Sequence, residues 1–368
     1  MKVAPLRVVD ATAAGAEPTS RPLTTVGDLV GAGLVAPAEA ADLSRVIEDF
    51  ALRITPEMAA LIDPAGQGPV ARQFLPDAAE LEIAPGEMAD PTGDGVHEVL
   101  PGLVHRYADR VLLKPLQVCA VYCRFCFRRE AVGPGEGLLG AADLAAAVDY
   151  VRARPGIFEV VLSGGDPLVL SDRRLAALLD ALDAVPHLGV VRIHTRVPVV
   201  DPGRVTDDLL RLLDRRVAVW LVLHVNTAEE LTDSALDSIR RLSRAGIPLL
   251  AQTVLLAGVN DTPHALEGLF RRLVANRVKP YYLHHLDPAR GTGHFRTSIA
   301  EGQALMRDLR GRVSGLCQPT YVLDIPGGHG KVPIGPGYLE SRQDGTYTVR
   351  DPQGREHAFR DAAAGQGE

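Results

Sequence analysis

The chain has 368 residues, enough for one to three domains with a full apolar core. Apolar residues make up 46% and charged residues 23%, and the net charge of -7 argues against a broadly electropositive nucleic-acid surface. No apolar run reaches membrane-spanning length, and the N-terminal stretch lacks the apolar centre of a secretory signal. Four cysteines, three of them clustered, do not make a secreted disulfide framework, so a reducing, cytoplasmic setting is expected.

Residues 1–22 are rich in Ala, Pro, Thr and Ser and read as a poorly ordered tail. Residues 23–104 read as a helical region and its connection, with short helices over 23–75. Thr24 or Thr25 caps one helix, and Pro37 begins another that carries Leu43, Val46 and Ile47. Residues 76–104, full of Pro, Gly and acidic residues, read as an irregular link without chemistry. From residue 105 the pattern changes to strand–helix alternation. Strands are expected at 111–118, 160–162, 190–193, 217–225, 249–256, 280–286 and 321–325. The helices between them show spacings of three and four, as in Leu175, Leu178, Leu179 and Leu182. Gly246 is a good helix stop. Alternation of this kind argues an α/β architecture with a parallel sheet, either open and doubly wound or closed into a full or partial barrel. In either case chemistry gathers at the C-terminal ends of the strands. Residues 105–315 form this unit. Residues 316–368 form a C-terminal segment with a hairpin at 345–360 and a frayed end.

Cys119-Ala-Val-Tyr-Cys123-Arg-Phe-Cys126 follows the first expected strand. Three thiolates this close can converge on one inorganic centre. A closed zinc site or a Cys₄ iron–sulfur cluster needs a fourth ligand, for which only Cys317 remains. The sharper reading is a [4Fe–4S] cluster with three protein-held irons and one open iron. The spacing resembles the C-x₃-C-x-aromatic-C signature of the radical S-adenosylmethionine (SAM) superfamily. Ser163-Gly164-Gly165-Asp166 follows the second strand, where two glycines let backbone approach a ligand closely. Pro326-Gly-Gly-His-Gly-Lys331 presents one lysine on a Gly-rich turn. That lysine suits a bland solvated loop, a phosphate cradle without Walker spacing, or covalent attachment of pyridoxal phosphate (PLP).

Taken in order, these segments resemble the lysine 2,3-aminomutase family of radical SAM, PLP-dependent enzymes. The likeness extends through His105-Arg-Tyr-Ala-Asp-Arg110, Gln252 to Asp261, Lys279-Pro-Tyr-Tyr282 and His294-Phe-Arg-Thr297. It implies a partial (β/α)6-type barrel with an N-terminal helical cap and a short C-terminal extension. It implies Cys119, Cys123 and Cys126 as cluster ligands and Lys331 as the residue that holds PLP. Arg106 and Arg110 would lie near the cofactor phosphate. Ser163, Gly164, Gly165, Asp166, His224 and Gln252 would line the cofactors. Arg128 would meet the substrate carboxylate, and Asp287 with Asp324 the distal ammonium of lysine.

The activity implied is interconversion of L-α-lysine and β-lysine by a 5′-deoxyadenosyl-radical, PLP-dependent 1,2-amino shift. Arginine is the alternative substrate, since it could also satisfy two aspartates. A branch of the family serves elongation factor P modification, and the two aspartates do not separate that role from free β-lysine metabolism. An electron donor is implied. Homo-oligomerisation is open, because no cysteine follows Cys317 to build the zinc site found between subunits in some members. A reading of another class is an iron–sulfur electron-transfer or structural metal protein, with Cys317 as fourth ligand.

Overall fold

The computed structural model describes residues 20–64, 66–133 and 137–361. The expected tail at 1–22 lies outside the described residues up to residue 19, and the frayed end lies outside them from residue 362.

Four short helices open the fold: α1 (Val26–Gly31), α2 (Ala40–Asp49), α3 (Pro56–Ala59) and α4 (Gly68–Phe74). Thr25 caps α1, with Asp28 returning the bond in a capping box, and Pro37 starts the 3₁₀ turn that leads into α2. Their apolar faces bury Leu29, Met58 and Phe74 in the same continuous core as the strands that follow.

A ten-stranded sheet runs in chain order. β1 (Glu98–Leu100), β2 (Leu103–Tyr107) and β3 (Arg110–Leu116) form an antiparallel lead-in. From β3 the pairing is parallel through β4 (Glu159–Gly164), β5 (Val190–Thr195), β6 (Ala218–His224), β7 (Leu249–Val254), β8 (Val278–His284) and β9 (Thr320–Asp324). β10 (Lys331–Pro333) closes the far edge antiparallel to β9. The crossovers carry α5 (Ala141–Arg152), α6 (Asp172–Asp183), α7 (Val197–Val200) with α8 (Asp207–Leu213), α9 (Asp233–Arg244), α10 (Pro263–Ala275) and α11 (Ile299–Arg312). A doubly wound sheet reverses its strand order at a switch point. This one never reverses, and it leaves β1 and β10 as free edges, so it is the open, partial barrel.

Side chains alternate across each strand. On β5, Val191 and Ile193 are buried under the helices, while Arg192 and His194 face the concave side. Leu175, Leu178, Leu179 and Leu182 of α6 are buried as their spacing predicts. Gly246, at φ +82°, ends α9.

Three strands escape the sequence pattern. β1 and β2 fall in or beside the stretch read as irregular. They are short, they turn at Gly102 (φ +73°), and β2 ends on His105, Arg106 and Tyr107 rather than on apolar residues. β10 is three residues long and mostly exposed. The C-terminal segment gains a strand on the expected hairpin, giving β11 (Leu339–Ser341), β12 (Thr346–Arg350) and β13 (Glu356–Arg360). No helix among the described residues is long and apolar enough to cross a membrane.

Candidate active site

The concave face of the sheet encloses a cavity of about 1010 Å³. Every site residue expected from the sequence lines it: the three clustered cysteines, Arg106, Arg110, Arg128, Ser163 to Asp166, His224, Gln252, Asp287, Asp324 and Lys331. Parallel strands with crossovers on one face explain most of the convergence, since the C-terminal strand ends and their loops open on one mouth, while Arg106 on β2 and Arg110 at the start of β3 line the cavity from the other end of β3.

Cys119, Cys123 and Cys126 leave the end of β3 in one loop, and none forms a disulfide. Burial raises all three thiol pKa values, that of Cys126 to about 11, and the neighbouring Cys123 charge adds to it. Cys119 also feels the charges of Asp166, Cys126 and Cys123, and all three cysteines line the cavity. Among the described residues no three His, Cys, Asp or Glu side chains close around a single ion. Cys317 precedes the N-terminal end of β9, beside Lys279 at the start of β8, and does not line the cavity. It therefore sits at the opposite end of the strands and cannot fill a fourth corner.

The Ser-Gly-Gly-Asp turn does something different from what its glycines suggest. The Gly165 and Asp166 amides donate to Leu116 and Val118 carbonyls at 2.7 and 3.0 Å, which stitches β4 to the cysteine loop. A Cβ on Gly165 would lie 2.3 Å from the Val118 carbonyl oxygen, so only glycine permits the stitch. Asp166, expected to line the cofactors, lies on the cavity wall and also ties the cysteine-loop side of the sheet to the turn after β5. Its carboxylate accepts from Thr195 Oγ1 at 2.7 Å, from the Arg196 amide at 2.6 Å, and from the Leu168 and Val197 amides at 3.1 and 3.2 Å.

Lys331 and Asp324 are direct cross-strand partners on β10 and β9, and their side chains form an ion pair. The turn between them needs Gly327, Gly328 and Gly330 at φ of +84°, +88° and +92°. Lys331 Nζ also lies 3.2 Å from His284 Nδ1. Burial works against an ionised Asp324, but His284 and Lys331 outweigh it and lower its pKa to about 2. Asp287, just beyond β8, shows the reverse. Burial and then the Asp324 charge push it up to about 7, against the pull of Lys331 and Arg128, and its Oδ1 is buried without a partner.

Arg128 donates through Nε to Asp94 at 2.9 Å and through Nη1 to Ser163 Oγ at 3.3 Å. Arg106 pairs with the same Asp94 at 3.3 Å and leaves its Nε unpartnered. Arg110 lies 4.0 Å over the Tyr107 ring and pairs with Asp109. His224 and Gln252 are register partners on β6 and β7, and His224 Nε2 is buried and unpaired. Burial, then the charge of His284, drops the His224 pKa to about 3, so it is a neutral ring.

Several residues here carried no sequence signal. Asp94 sits in the supposed irregular link, yet it gathers Arg106 and Arg128. Its turn is held by Gly93, where a Cβ would lie 2.4 Å from the Gly328 nitrogen. His194 and His284 belong to no recognisable motif on their strands. Glu80, fully buried, holds Arg124 and Arg129 of the cysteine loop. Only the convergence of distant segments reveals these.

Residues 113–269 match the radical SAM superfamily, and residues 306–362 match the lysine-2,3-aminomutase family. The L-lysine 2,3-aminomutase of Clostridium subterminale is 39% identical over 313 residues, covering 85% of this chain and 75% of that protein. The one from Acetoanaerobium sticklandii is 40% identical over 319 residues, covering 86% and 77%. This chain belongs to the lysine 2,3-aminomutase family of radical SAM enzymes. A glutamate 2,3-aminomutase from Clostridioides difficile is 34% identical over 314 residues, covering 85% and 74%.

Members of the lysine 2,3-aminomutase family use a [4Fe–4S] cluster, SAM and PLP, and the residues in the cavity fit that set. Three unbridged thiols, one lysine amine and several arginines line the same cavity. Arg106 Nε, His194 Nε2, His224 Nε2 and Asp287 Oδ1 are buried polar atoms without partners, as expected where ligands complete the bonding.

Proposed function

We propose that this protein is an L-lysine 2,3-aminomutase that interconverts L-α-lysine and β-lysine by a radical 1,2-amino shift. The observation that carries the choice of substrate is the pair Asp287 and Asp324 in one buried wall of the cavity. Asp324 already accepts one primary ammonium, that of Lys331. Asp287 keeps an unsatisfied oxygen beside it and ionises with difficulty for want of a cation. The distal ammonium of lysine supplies that cation and forms charge-assisted bonds in a dry site. The distal carboxylate of glutamate would face two like charges there, which argues against the activity of the glutamate relative.

In this reading Cys119, Cys123 and Cys126 hold the cluster and Lys331 carries PLP covalently. With SAM bound, the cluster would supply the electron that yields a carbon radical from SAM, and PLP would supply a carbonyl carbon able to hold the migrating nitrogen. The chain's own part is placement. Arg128, steadied by Asp94 and Ser163, offers its fork to the substrate carboxylate. Arg106 and Arg110 face the cofactor phosphate, with Tyr107 between them in sequence. Ser163, Gly164 and Gly165 form the wall nearest the cysteine loop, and the neutral His224 ring and Gln252 form the floor. Anchoring both ends of the substrate fixes its C2–C3 bond between the cysteine loop and Lys331, which is where proximity gives rate. The barrel wall keeps water from a reactive intermediate. An electron donor and a reducing, cytoplasmic setting follow from the cluster assignment.

The test is turnover by anaerobically reconstituted protein with SAM, PLP and a strong reductant, offered L-lysine, L-arginine and L-glutamate separately. We expect β-lysine from lysine and no product from glutamate. Turnover of arginine without any β-lysine would reject the assignment.

A further inference from the structure

Arg196, the residue after β5, is used by none of the roles above. Its guanidinium is buried, and Nη1 donates to the Cys123 sulfur at 2.8 Å. Nη2 donates to Gln73 Oε1 at 2.6 Å and pairs with Glu230. Glu230 is fixed in turn, since its Oε1 accepts from the Asn226 and Thr227 amides at 3.0 and 2.9 Å and from Gln73 Nε2 at 3.0 Å. The Arg196 backbone is pinned by Asp166, and its side chain lies over the Phe74 ring at 4.8 Å and the Phe125 ring at 5.6 Å. Three segments far apart in sequence therefore aim one cation at one of the three clustered sulfurs.

We propose that Arg196 is a positioning residue that tunes the cluster. It sets the orientation of Cys123 and raises the cluster's reduction potential through its N–H···S bond. The inference rests on Cys123 being a cluster ligand. Reduction adds one electron, taken from the external one-electron donor, and breaks no bond at Arg196. The added negative charge spreads onto the sulfurs, where an aimed donor and a fixed cation in a low-dielectric site stabilise it. Glu230 and Gln73 bind the far nitrogen of the same fork, so the near nitrogen stays on sulfur.

The test is an EPR-monitored redox titration of the reconstituted cluster, with and without SAM, in the unaltered protein and two variants. Arg196→Lys keeps the charge, but its compact ammonium cannot serve Cys123 and Glu230 together. Arg196→Met combined with Glu230→Gln removes the ion pair as a unit and leaves no uncompensated buried charge. In both variants we expect iron content per chain and thermal unfolding close to those of the unaltered protein. We expect a more negative midpoint, enough to cut the reduced fraction about tenfold at fixed potential, or about 59 mV for one electron. Unchanged midpoints in the loaded variants overturn the proposal. A shift present only with SAM overturns it too, because it moves Arg196 from the sulfur to the SAM molecule. Folded variants that take up no cluster do the same by making Arg196 an assembly residue. If the unaltered protein itself takes up no cluster, the assignment of the three cysteines fails as well.

Discussion

Asp287 is where stability and function pull in opposite directions. Its carboxyl sits at about 7 in the folded chain because of burial and the nearby Asp324 charge, against about 3.9 in an unfolded chain. The unfolded state therefore gives up its proton first. The folded state is penalised progressively as pH rises from about 4 to about 7, and the penalty is constant above that. Asp287→Asn removes it, and each tenfold change in proton affinity is worth about 1.4 kcal/mol, so the gain is on the order of a few kcal/mol. We expect the cofactor-free variant to melt higher than the unaltered protein at pH 8 and about equally at pH 4. The same variant should lose lysine turnover at least about a hundredfold, as expected when one partner of a buried charge pair is removed. A cationic substrate prefers ionised Asp287, so the KM for lysine should fall between pH 6 and 8 and level off above. A flat KM across that range would remove Asp287 from substrate binding. At this scale the sequence was most legible in which residues share the cavity, as with Cys119, Cys123, Cys126 and Lys331, each carried by a recognisable local motif. Asp94 and Arg196 were not legible, because each matters through side chains from distant segments.

At the scale of elements, the helical cap holds the site in place by two sets of buried polar contacts, one ionic and one neutral. Glu80 clamps Arg124 and Arg129 beneath the cysteine loop, and Gln73 helps to aim Arg196. Glu80→Gln leaves two guanidinium groups short of their counter-charge, and we expect a loss of about 3 kcal/mol in chemical denaturation. A change within about 0.5 kcal/mol, the size of an ordinary surface substitution, would mean that water reaches those arginines. Gly165→Ala should act locally, since its Cβ would collide with Val118 at the root of the cysteine loop. We expect reduced iron uptake with the helical circular dichroism preserved. The seven parallel strands were readable because each is an apolar run between helical patterns. β1, β2 and β10 were not, because strands three to five residues long near the ends of the sheet carry too little alternation to detect. Yet β10 is the strand that delivers Lys331, and its position follows from the Gly-rich turn rather than from any strand signal.

For the whole molecule, sequential strand order is the property that matters. It curls one sheet around one cavity and sets an amine from the last strand against thiols that follow the third. Strand–helix alternation alone left open whether the sheet was doubly wound or barrel-like, and the unbroken strand order decides it. The central claim is that this cavity reads an ammonium at the far end of its substrate through Asp287 and Asp324. Competition between L-lysine and L-norleucine, which has a similar chain without the distal amine, tests it most directly in the reconstituted protein. The account predicts that lysine is turned over at least about a thousandfold faster at equal low concentration, and that Asp287→Asn erases most of that preference. Equal turnover of the two amino acids, or a preference that survives the loss of Asp287, would contradict it.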